Sequence, residues 1–147
     1  MQSFSPEQME HLIQAPFLVL KNITSIDGGG FFNALREGKA GLDFVREAMK
    51  EVPDNELIQE VGQNFLDVAG KETGPDTPTL AEFFVRMQQV VAVLGDHPDG
   101  SDFKAFLYTL GEYVASSSGT GFLGRGEKIS PEEGAVLQAL AQTFGMQ

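Results

Sequence analysis

The stretch TLAEFFVRMQQVVAVLG, residues 79–95, decides the fold class of this protein. Its apolar side chains recur every three or four residues, the spacing of one stripe along an α-helix; they are Leu80, Phe83, Phe84, Met87, Val90, Val91 and Leu94. Thr79 and Glu82 predict a capping box at the start of this helix, and Gly95 predicts its end. The stretch therefore predicts an amphipathic helix that buries one face.

Four other segments repeat this spacing and predict further amphipathic helices. Their stripes are Leu42, Val45, Met49 and Val52; Ile58, Val61, Phe65, Val68 and Ala69; Phe103, Phe106, Leu107, Leu110 and Val114; and Leu137, Leu140, Ala141 and Phe144. No segment keeps up the period-two alternation of a strand, so the sequence predicts no strand. We therefore expect an all-α protein with a single helical domain over residues 1–147.

The first helix has a different pattern. Ser5-Pro6-Glu7-Gln8 supplies a serine cap, a proline at the first helical position and a glutamine that closes a capping box. The segment that follows is apolar around most of its circumference, at Phe17, Leu18, Val19, Leu20 and Ile23. Because a helix that is apolar on all sides is buried on all sides, this one is expected at the centre of the bundle.

Composition excludes several classes of function. The chain of 147 residues has no cysteine, only two histidines, and 21 acidic against 10 basic residues, for a formal charge of −11. A thiolate site and a three-histidine metal site are therefore excluded, and the charge disfavours nucleic acid and anionic membranes as partners. The apolar run at residues 16–20 is too short to cross a bilayer, and the first residues do not resemble a signal peptide. A soluble cytoplasmic protein without membrane insertion is the expectation.

Two helix ends share a pattern. Residues 25–32, SIDGGGFF, align with residues 116–123, SSSGTGFL, and at the same offset upstream Phe17, Val19 and Ile23 align with Tyr108, Leu110 and Val114. Each unit is a buried helix that ends at glycines, which accept the positive φ of a carboxyl-terminal cap. The sequence thus predicts two similar halves.

Residues 12–35 and 108–145 resemble the TerB-like (tellurite-resistance) helical domain family, through the helix that runs into Ser25-Ile26-Asp27-Gly28 and through ISPEE and LAQTFG at residues 129–133 and 140–145. This chain departs from the family after Asp27, where glycines replace further acids. The resemblance implies about seven helices in pseudo-twofold halves around a buried central helix. It also implies a role in tellurite or stress resistance, in which an acidic surface binds a metal ion or a protein partner.

Two sets of residues are candidates for a binding site. The acidic turn before the Phe103 helix contains Asp96, Asp99 and Asp102, and with Asp27 these carboxylates are candidate ligands of a weakly held divalent cation. Capping of the following helix explains the same acids without a metal. The glycine-rich segments present four apolar residues as candidate partner contacts, or as part of the core: Phe31, Phe32, Phe122 and Leu123.

Three functions remain open on the sequence. The leading hypothesis is a non-enzymatic TerB-like module without a resident cofactor, which acts through its acidic surface. The second is a protein-interaction or self-assembling subunit without a metal, which uses the apolar glycine-rich segments. The third is an enzyme with a cryptic site between helices, for which Asp27, His97 and the acidic residues of the helices are the available groups, since no nucleophile motif is present. His11, beside Glu7 and Glu10, is interpreted as a surface histidine.

Overall fold

The computed structural model describes residues 4–26, 31–68, 79–116 and 131–146, and these residues form an all-helical bundle. Within those ranges there are six helices and no strand. The helices are α1 (Pro6–Ile26), α2 (Phe31–Glu51), α3 (Glu56–Val68), α4 (Leu80–Leu94), α5 (Gly100–Ser116) and α6 (Pro131–Thr143). The predicted all-α class is confirmed, whereas the count of about seven helices and the pseudo-twofold halves stay predictions.

The central position of α1 is confirmed. This helix packs against each of the other described helices, and Leu18, Val19 and Ile23 are almost fully buried. The helix continues through Pro16 without a break. The apolar circumference read from the sequence therefore does mark the middle of the bundle.

Every described helix contributes to one hydrophobic core. Its largest fully buried side chains include Phe65 of α3, Phe83 of α4 and Phe103 of α5. Aromatic rings bury large apolar areas each, so they dominate the hydrophobic stabilisation of a bundle of this size. The prediction of a buried α4 stripe is wrong for one residue: Leu80, in the first turn, is 51% exposed.

The predicted caps are present where the structure describes them. Ser5 and Gln8 exchange hydrogen bonds, with Ser5 N–H donating to Gln8 Oε1 at 2.9 Å and Gln8 N–H donating to Ser5 Oγ at 3.1 Å. Thr79 and Glu82 form the same reciprocal box, and Gly95 ends α4 with a φ of +47°. These contacts satisfy amide groups that the first turn of a helix leaves without partners.

One close approach sets the distance between α5 and its neighbours. A Cβ atom placed on Gly111 would lie 3.0 Å from Leu137 Cδ2 and 3.4 Å from Val19 Cγ1. Gly111 therefore lets α5 pack directly against α1 and α6. We call this contact between Gly111, Val19 and Leu137 the glycine seam.

Candidate functional site

Helices α2 and α5 are held together by aromatic rings in the second half of α2. The Phe44 ring centroid lies 5.9 Å from that of Phe106 and 5.5 Å from that of Tyr113. Just past the end of α2, Val52 and Asp102 line a common cleft, so the two helices run in opposite directions. The aromatic contacts leave a groove between the helices rather than a closed seam.

This groove has a volume of about 460 Å³. Its wall is largely apolar, and its floor includes Ile58 of α3, a buried residue of the core. The other uncharged lining residues are Phe44, Ala48, Val52, Ala105, Phe106, Thr109 and Tyr113. Two of these lining residues, Ala48 of α2 and Ala105 of α5, have small side chains that take up little of the space between the helices. We call it the α2–α5 groove.

Three carboxylates line the α2–α5 groove, from Glu47, Glu51 and Asp102, and its described lining includes no lysine or arginine. Glu47 lies 3.4 Å from Lys50 Nζ, but both side chains are highly exposed, and ion pairs of this kind contribute little. Within the described part of the chain, Glu51 and Asp102 have no ion pair or hydrogen bond from their side chains. The rim is therefore a negative one.

A second cleft, of about 330 Å³, continues the groove past the end of α2. Glu51, Val52 and Asp102 line both clefts. The second one adds Pro53, Asp54, Asn55 and Asp99. The negative rim thus extends over the starts of α3 and α5.

Asp99 has a structural role at this end. Its carboxylate Oδ2 accepts a hydrogen bond from Leu57 N–H at 3.4 Å, and Asn55 Oδ1 accepts one from Ile58 N–H at 2.9 Å. Two side chains therefore cap α3, one from α3's own cap position and one from the start of α5. Asp99 N–H also donates to His97 Nδ1 at 3.1 Å.

The three predicted cation ligands that the structure describes have three different surroundings. Asp96 is an exposed turn residue, Asp99 caps α3, and Asp102 lies on the rim of the groove. Across residues 4–26, 31–68, 79–116 and 131–146, no group of three or more histidine, aspartate or glutamate side chains is arranged to hold a metal ion. Asp27 lies outside the described residues.

The four predicted partner contacts lie outside what the structure describes at the side-chain level. Phe31 and Phe32 begin α2, but their side chains are not among the described ones. Phe122 and Leu123 lie outside the described residues altogether. Their role as partner contacts stays a prediction.

The two histidines are used by the fold. His11 is half-buried rather than a surface residue, and its Nδ1 is a buried atom with no hydrogen-bond partner in the described part of the chain. The sequence-based interpretation of His11 as a surface histidine is therefore wrong for its Nδ1 side, which is buried. His97 stacks on Phe4, with ring centroids 4.7 Å apart, which holds the start of α1 against the turn before α5.

One tyrosine on α5, Tyr108, has a raised pKa. Partial burial raises the pKa of Tyr108 above 10.0, and the charge of Glu112 and its hydrogen bond with the phenol raise it further. Each of these causes favours the neutral phenol over the phenolate. Tyr108 does not line the α2–α5 groove, so its shift belongs to the packing of α5.

The groove is the feature that the sequence reading missed. The predicted stripe of α2 runs through Leu42, Val45 and Met49, and Phe44 lies off it. An aromatic residue off the core stripe, followed four residues later by an alanine, was the available signal. It could not show that α5 would present Ala105 and Thr109 to the same space.

Comparisons with known proteins assign no family. No family model matches the sequence, and no curated protein or solved structure matches it. Among the described helices, none is long and apolar enough to cross a membrane.

Proposed function

We propose that this protein is a non-enzymatic binding module, and that the α2–α5 groove is the surface through which it binds a protein partner. The observation that carries this proposal is the combination of a largely apolar lining, which includes aromatic rings, with a rim of carboxylates. Concave apolar surfaces with a few placed polar groups are where ligands bind. The proposal needs no resident cofactor.

The shape of the groove supports binding over catalysis. Its described titratable side chains are the carboxylates of the rim and the phenol of Tyr113, which is 44% exposed. A general acid or base needs a desolvated group within reach of a substrate, and a nucleophile needs a neighbouring base. An exposed apolar surface with acidic edges is suited instead to holding another macromolecule.

We also propose that this module is of the TerB-like type, with the role in tellurite or stress resistance that the sequence suggested. The support for this part is the shared pattern at residues 17–32 and 108–123 and the acidic character of the chain. Expression in a tellurite-sensitive bacterium tests it by survival on tellurite. Raised tolerance is the expected result, and unchanged tolerance at equal protein levels would contradict the resistance role while leaving the binding role intact.

The binding role is tested by site-specific photo-crosslinking in cells that naturally produce the protein. A photoreactive amino acid replaces Thr109, which is exposed in the groove, or Gln88, which is exposed on α4 and serves as the matched control. We expect a discrete crosslinked protein from position 109 only. The absence of any protein crosslink at position 109 would contradict the proposal.

Two alternatives from the sequence have their own measurements. Calorimetric titration with calcium and with zinc tests the cation site, and the substitutions Asp96→Asn and Asp102→Asn should reduce any heat that the site produces. Replacement of Phe122 and Leu123 by serine tests the glycine-rich contact. Lost association with an unchanged melting temperature would favour that surface over the groove.

A further inference from the structure

We propose that the occupant of the α2–α5 groove is a basic amphipathic helix of a partner protein, with one apolar face and lysine or arginine on its flanks. This inference rests on the proposed function and specifies the chemistry of the partner. It is carried by three properties of the groove: the charge of its rim, the geometry of its walls and its length.

Charge complementarity selects a cationic partner. Glu51 and Asp102 stand on opposite helices, at the place where the groove meets the second cleft, and Glu47 adds a third carboxylate one turn earlier on α2. No described lining residue carries a positive charge. The net charge of −11 acts in the same direction, since it attracts cations and repels a second copy of this chain.

The walls select a helix over an extended peptide. A strand needs backbone partners along its whole length, which an exposed sheet edge provides. Both walls here are helices, whose interior amide and carbonyl groups are already paired along their own axes. A helical ligand satisfies its own backbone and needs from the groove only apolar contact.

The dimensions fit a short helix. At about 1.5 Å per residue, the wall from Phe44 to Val52 is about 12 Å long and the wall from Asp102 to Tyr113 about 16 Å long. Two to three turns of a ligand helix cover this distance, which is enough to place apolar anchors at positions i, i+4 and i+7. The anchors would lie on Phe44, Ile58 and Phe106, and the basic residues would reach the rim.

Three peptides test the inference on the full chain. The first is built from leucine and lysine in an amphipathic helical order, the second has the same composition in a scrambled order, and the third replaces each lysine by glutamate. Isothermal titration calorimetry should detect the first peptide alone, with affinity that falls as salt rises. Equal binding of the scrambled or the acidic peptide would overturn the inference.

Two variants locate the binding. Glu51→Gln combined with Asp102→Asn removes two rim charges and should weaken the first peptide about tenfold. The matched control is Glu60→Gln combined with Glu132→Gln, at exposed positions outside the groove, and it should leave the affinity unchanged. Equal weakening by both double variants would show a general charge effect and overturn the inference.

Filling the groove gives an independent measurement. Ala105→Trp places a large side chain at an exposed lining position and should abolish binding of the peptide; Thr109→Arg serves the same purpose if the first variant fails to fold. Unchanged affinity in a folded variant of either kind would contradict the groove as the site. A dimer of the wild-type protein that Ala105→Trp dissociates in sedimentation experiments would make a second copy the occupant instead.

The failure of this inference can be told from failure of the proposed function. If position 109 crosslinks a protein while the leucine–lysine peptide does not bind, the partner has another chemistry and the binding role stands. If neither the crosslink nor the peptide is observed, both are wrong.

Discussion

The two sides of α5 differ in how they meet their neighbours. On one side the glycine seam brings α5 so close to α1 and α6 that a methyl group at Gly111 would displace Leu137 or Val19. On the other side the rings of Phe44, Phe106 and Tyr113 join α5 to α2, and the α2–α5 groove lies open beside these contacts. One helix therefore has a side that is closed within the core and a side that borders an open groove.

The largest difference between the two sides is expected for truncation of neighbouring residues. Leu110 is fully buried, while Thr109 is exposed in the groove. Leu110→Ala should lower the free energy of unfolding by about 2–5 kcal/mol, because it leaves a cavity, and Thr109→Ala should change it by less than about 0.5 kcal/mol. Chemical denaturation measures both. Similar losses for the two variants would mean that the groove side is core as well.

A smaller difference is expected when side chains are enlarged. Gly111→Val should cost about 1–3 kcal/mol, because the new methyl groups collide with Leu137 and Val19 in a packed interior. Ala105→Val, on the open side, should cost about 0.5 kcal/mol through helix propensity alone. Thermal unfolding of the two variants gives the comparison. A stable Gly111→Val protein would show that the seam can widen.

The smallest effect concerns the two tyrosines of the chain, which both lie on α5. Tyr113→Phe leaves Tyr108 as the only phenol, and its titration, followed by ultraviolet absorbance, should have a midpoint above pH 10.0. Glu112→Gln should lower that midpoint, because it removes the neighbouring charge and weakens the hydrogen bond. A midpoint that does not respond to this second substitution would leave burial as the sole cause.

The sign of the associated stability effect follows from the raised pKa of Tyr108. The folded state favours the neutral phenol, so the stabilisation is fully present below pH 10.0 and is lost as the pH rises through the higher pKa of the folded protein. Stability measured above pH 10.0 should therefore fall less steeply in Tyr108→Phe than in the wild-type protein.

The sequence could predict the features that depend on local patterns, but not those that depend on contacts between distant residues. Helical spacing predicted α4 and its caps, and the apolar circumference of α1 predicted its central position, because both depend on local patterns. Asp99 illustrates the limit. Its carboxylate caps α3, a contact between residues far apart in the sequence, so the acidic turn suggested a metal ligand or a cap for α5 only. The groove could not be predicted from the sequence either, because it depends on which helices become neighbours.

The joint at the start of α3 has a consequence for the motions of the bundle. In most helices the amide protons of the first turn exchange freely with solvent, since they lack acceptors. Here the Leu57 and Ile58 amides donate to Asp99 and Asn55, and Asn55 is itself bound to the Asp99 carbonyl. Deuterium uptake at the beginning of α3 is consequently linked to the integrity of the beginning of α5, and fraying of one end should propagate to the other.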